Sequence, residues 1–182
     1  MIDELDHNNR RVTGERPPDC ASGLFDECRT FLLLVRRVHE EWVDDVLSAI
    51  QGPSGAEHVG IDPATMFETV TAADLRQSLL PVTRRGAEDL VKLLAAGSFS
   101  SGPDASLRES DEARDGCVRD ILHSVGEEAE FFTNHGHAED GREADFLAAS
   151  FHFNSLAVTL YDICLIAVSP EHLLVAWRCE DA

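Results

Sequence analysis

Imidazoles and carboxylates are the side chains that hold divalent metals and move protons near neutral pH, so their spacing is the first place to look for chemistry. The stretch NHGHAED sets His135 and His137 on either side of one glycine, with Glu130, Glu139 and Asp140 nearby. Two imidazoles and a carboxylate oxygen would suit zinc or a similar divalent ion. In a turn rich in Gly, Asn and acids, a solvated histidine pair is the commoner outcome, and the spacing carries little by itself. A better-founded pair is His123 with Glu127, which share a face if both lie on one helix, with His152 closing a three-ligand set from the next helix. The carboxylates that follow, Glu128 and Glu130, argue instead for a solvated face.

Three further positions stand out. Asp162 falls inside a long apolar run, where an ionised carboxylate is costly unless paired. Pairing with an arginine such as Arg84, Arg119 or Arg178, or an opening of that polar stripe to water, is expected, and Tyr161 beside it marks the place for a pocket. Trp42 and Trp177 are expected in the core or at its rim, and either would be an interface anchor if exposed.

The motifs of common enzymes are missing. The chain has no G-x-x-x-x-G-K-[ST] phosphate loop, no G-x-S-x-G elbow and no G-x-G-x-x-G after a strand; His39-Glu40 lacks the second histidine of H-E-x-x-H.

The elements that would position these residues read as helical. Phe31, Leu34, Val35, Val38, Trp42 and Leu47 recur at helical spacing, predicting an amphipathic helix from Phe25 to Ile50 that stops at GPSG, residues 52–55. Asp62-Pro63 opens a short helix toward Val70. Thr71 and Asp74 resemble a capping box for a helix over Ala72–Leu80, and Pro81 separates it from a helix carrying Leu90 to Leu94. Residues 96–106 read as a loop. Ser110 or Asp111 then caps a helix extending to Phe132, ended by Asn134 and Gly136.

Residues 143–168 are apolar nearly all round, apart from Ser155, Thr159 and Asp162 at i, i+4 and i+7. That pattern predicts a central hydrophobic helix in an all-α bundle of five to seven helices. The alternative is an α+β fold ending in a β-hairpin, with VTLYDICLIAV and HLLVAWRCED as strands and SPEH as the turn. Residues 146–168 are long enough to cross a bilayer, but five polar groups and the lack of flanking Lys or Arg favour a buried element of a soluble fold.

Length and composition frame the rest. The 182 residues fit one domain, residues 25–182, behind a polar flexible segment, residues 1–24. The formal charge is −19, and Lys92 is the single lysine among 15 basic residues. Such arginine bias is what a GC-rich genome writes, and in a salt-loving source the acidity would be solvent adaptation. Otherwise it disfavours nucleic acid and membrane surfaces and suits a basic protein partner. A helix-turn-helix regulator in residues 62–94 has Arg76, Arg84, Arg85 and Lys92 for support, against five acids. Five scattered cysteines without C-x-x-C, and no apolar leader, point to a reduced cytoplasmic protein.

The function expected from these features is non-enzymatic: an acidic protein that binds another protein as an inhibitor, immunity or adaptor factor, with no cofactor. Self-association stays open. The rival is a metal-dependent enzyme built on the histidines above.

Overall fold

The computed structural model describes residues 10–52, 59–96, 99 and 102–181. It is an antiparallel sheet with helices on both faces, which replaces the all-α bundle expected from periodicity and agrees with the α+β alternative. The strands are β1 (Thr13–Glu15), β2 (Thr30–Arg36), β3 (Val59–Gly60), β4 (Leu80–Val82), β5 (Glu130–Thr133), β6 (Tyr161–Val168) and β7 (His172–Glu180). They lie in the order β1-β2-β7-β6-β5-β4, with β3 beside β2. The helices are α1 (Ala21–Leu24), α2 (Trp42–Gln51), α3 (Ala72–Ser78), α4 (Arg84–Ala95) and α5 (Glu112–His123).

The sheet's centre explains why the helical reading failed. In β2, Leu32 and Leu34 face the core under α4 and α5, while Phe31, Leu33 and Val35 face the core under α2 and α3. The same alternation splits Ile163, Leu165 and Ala167 of β6 from Cys164, Ile166 and Val168. With both faces covered, neither side of a strand has to be polar, so the period of two disappears into a continuous apolar run. The central helix expected over 143–168 is therefore a loop followed by β6, and β6 forms a hairpin with β7 through Ser169, Pro170 and Glu171.

Several local signals are realised. Asp62 accepts from Ala64 N at the head of a 3₁₀ turn, Pro63–Thr65, and Thr71 and Asp74 form a reciprocal capping box on α3. Thr83 caps α4, and Asp111 caps α5. The expected long first helix divides into β2 and α2, and the helix expected to reach Phe132 ends at His123, with Phe131 and Phe132 in β5. Between α3 and α4 the chain runs as β4, paired to β5, where a helix-turn-helix would have its turn. The expected terminator GPSG and the loop over 96–106 fall partly outside the described residues, as does the N-terminal segment before Arg10. From Arg10 onward that segment contributes β1, α1 and the buried Val12 and Ala21.

Cys20, just before α1, is disulfide-bonded to Cys117 of α5 across 97 residues, which corrects the expectation of unbridged cysteines. Cys28, Cys164 and Cys179 are free. No helix among the described residues is long and apolar enough to cross a membrane.

Two buried polar hubs fasten the layers. Asp45 of α2 accepts from Arg37 Nε at 2.9 Å, from the Val38 and His39 amides at 3.0 Å each, and from His39 Nδ1 at 2.8 Å. On the opposite face Arg178 donates to Glu180 at 3.0 Å and to the carbonyls of Leu94 and Ala96, closing the C-terminal end of α4.

Candidate functional site

β5 and β6 pair only through Glu130–Phe132 and Ile166–Val168, and beyond that point a side chain continues the ladder. Asn134 Oδ1 accepts from Cys164 N at 2.9 Å, and its Nδ2 donates to Asp162 O at the same distance. An Asn amide has the donor and acceptor of a peptide group, so it can replace one. Its Nδ2 also reaches Asp162 Oδ2, at 3.1 Å.

Asp162 is fully buried. Its expected arginine partner is absent among the described residues, because Arg178 points to the other face and pairs with Glu180. Neutral donors surround it instead: Trp177 Nε1 at 3.1 Å, Ser155 Oγ at 3.0 Å and Leu156 N at 3.1 and 3.2 Å. Burial raises its pKa, and the bonds from Leu156, Trp177 and Ser155 partly oppose that rise. Ser155 thus meets Asp162 across a loop, a contact that the expected helix, with the two residues two turns apart, would not have made.

These bonds clamp the loop from Asn154 to Leu160. Asn154 N donates to Asn134 O at 2.9 Å, Val158 N to Met66 O at 3.1 Å and Leu160 N to Asp181 Oδ1 at 3.2 Å. Leu156 and Ala157 pack into the core beneath α2. Val158 and Leu160 turn outward and are 70% and 64% exposed, the large hydrophobic side chains left open to solvent among the described residues. Reading residues 143–168 as a helix hid both.

No protein-family model matches this chain, and no curated protein or solved structure shows significant similarity to it.

Trp177 is wholly buried and serves the Asp162 hub, while Trp42 is half-buried and stacks on Phe132 with ring centroids 4.5 Å apart. Tyr161 is partly buried, 6.0 Å from the ring of Phe153. His123 ends α5 and Glu127 lies in the following turn, so they do not share the helix face expected of them.

The remaining histidines do come together. The His135 and His137 rings are 4.9 Å apart, and those of His137 and His152 5.7 Å. His135 Nδ1 accepts from His137 N at 3.1 Å, which leaves the proton of the neutral ring on Nε2. A nitrogen carrying a proton has no lone pair for a metal. Among the described residues no group of three His, Cys, Asp or Glu is arranged to hold a metal ion. His135 stacks on Phe151 and meets Phe146 edge-on, and its Nε2 is buried without a hydrogen-bond partner. Burial, then the charges of His137 and His152, lower its pKa to about 3.

Proposed function

We propose that the protein acts by binding another protein, and that the loop from Asn154 to Leu160 is its docking element. The observation that carries this reading is the exposure of Val158 and Leu160 on a loop whose backbone is fixed from below by Asp162. Exposed apolar groups held in one conformation lose little entropy on binding, which is the advantage of a preorganised interface. The partner fitted to this surface offers an apolar pocket with a basic rim. Charge complementarity supports the rim, since 34 acidic side chains outnumber 15 basic ones and Asp181 accepts from the Leu160 amide. The Cys20–Cys117 bond suits an oxidising surrounding better than the reduced cytoplasm expected from the cysteine pattern.

A photo-crosslinking residue in place of Val158 tests the proposal, with the same residue in place of Arg76 on α3 as control. The expected result is one basic protein crosslinked from position 158, lost at high salt and lost when Leu160→Asp is added. Identical products from both positions would refute it.

A further inference from the structure

A cleft of about 270 Å³ lies between the start of α4, the 3₁₀ turn Ala105–Arg108 and the 3₁₀ segment Gly136–Glu143. Each of the three contributes an arginine to its lining: Arg85, Arg108 and Arg142. Gathering like charges costs energy unless something opposite lies between them, and with a net charge of −19 this chain has carboxylates to spare for each.

The acids that line the same cleft are Asp89, Glu143 and Asp145, and two of them are already engaged. Asp145 takes a 2.7 Å bond from Arg108, and Asp89 lies 3.8 Å from Lys92. Arg85 and Arg142 make no hydrogen bond or ion pair with any described residue; Arg85 has only a longer-range attraction to Asp89. Two exposed guanidinium groups with no protein partner among the described residues therefore line the cleft together with one carboxylate that no base engages, Glu143. Thr83 Oγ1 accepts from Gly86 N, which leaves its hydroxyl proton available to a ligand in the cleft.

We infer that Arg85 and Arg142 clamp a small oxyanion in this cleft, a phosphate monoester or a small carboxylate, with the Thr83 hydroxyl as a third donor and the Arg108–Asp145 pair as a fixed wall. Guanidinium groups present paired N–H donors that match both kinds of oxyanion. The volume admits a tetrahedral phosphate with a short substituent. This site stands apart from the docking loop, and neither proposal depends on the other.

The test is isothermal titration of the full chain with inorganic phosphate and with acetate, chloride holding the ionic strength constant. The expected result is saturable binding that weakens about tenfold for each arginine removed in Arg85→Gln and Arg142→Gln, as loss of one charged hydrogen-bond pair implies. The control Arg36→Gln/Arg76→Gln alters two exposed arginines elsewhere and should bind as wild type does. Saturation by phosphate alone assigns the site to phosphoryl groups, and equal competition by acetate assigns it to carboxylates. Failure of both anions to saturate the wild type, or equal losses in cleft and control variants, would overturn the inference. Both cleft arginines are exposed, and Arg85→Lys/Arg142→Lys keeps the charge while removing the fork, so weakened binding there separates lost geometry from a lost fold.

Discussion

Replacing Asp162 with alanine should unfasten the docking loop, and the size of the effect follows from its donors. Ser155 and Leu156 lie near the surface and regain water when the carboxylate goes. Trp177 Nε1 cannot, because its ring is wholly buried, and Asn134 Nδ2 keeps only its carbonyl acceptors, Asn154 O and Asp162 O. One orphaned buried donor at about 1 to 3 kcal/mol, plus a small cavity, predicts a loss of about 3 kcal/mol. Asp162→Asn keeps the shape and can turn its amide toward Ser155, so about 1 to 2 kcal/mol is expected. Urea unfolding followed by tryptophan fluorescence gives the global cost, and hydrogen exchange at the Leu156 amide gives the local one. The carboxyl's pKa is raised in the folded state, so the native protein binds the proton more tightly than the unfolded chain does. Wild-type stability relative to Asp162→Asn should therefore fall as pH rises from about 4 through that raised pKa. If Asp162→Ala costs less than about 1 kcal/mol and exchange at Leu156 is unchanged, the carboxylate does not hold the loop and the reasoning fails.

His135 titrates in the opposite sense. Its pKa drops from 6.5 to about 3 on folding, so below pH 6.5 the unfolded chain takes up the proton first, and stability should fall by about 1.4 kcal/mol per pH unit on acidification toward 3. A urea series from pH 7 to 5 on wild type and His135→Gln checks this, because the variant should lose that part of the slope. Reduction of the Cys20–Cys117 bond, which spans 97 residues, frees a long loop in the unfolded chain and should cost about 4.7 kcal/mol, measured as the difference in unfolding free energy between wild type and Cys20→Ser/Cys117→Ser. Gly60→Ala would set a Cβ 1.7 Å from Thr30 O at a φ of +93°, and calorimetry should find a loss of more than about 2 kcal/mol.

What could be read from the chain was what short-range chemistry decides. Asp62, Thr71 and Asp111 cap where their types predict, because a cap depends on the next three residues alone. The strands were hidden by long-range cover: TFLLLVR and YDICLIAV look alike on either face only because separate helices bury both. At the site, Asp162 declared itself as a carboxylate among hydrophobes, but its contact with Ser155 depends on the loop that brings the two together. Val158 and Leu160 gave no such signal, since a loop's apolar residues look like core until the backbone that turns them outward is known. Arg85 read as support for a helix-turn-helix and Arg142 only as part of the net charge, but their meeting depends on how distant segments fold together.

The pairing of β2 with β7 sets the order in which the molecule can be made. Residues 30–36 are the neighbours of residues 172–178, so β2 can pair with β1 and β3 on one edge while its other edge waits until residues 172–178 have left the ribosome. Until then its two apolar faces and one backbone edge stay open. A nascent chain of this kind gains little from folding as it emerges and closes in one late, slow step. Loss of residues 172–180 would leave β2 and β6 with a gap at the centre of the sheet.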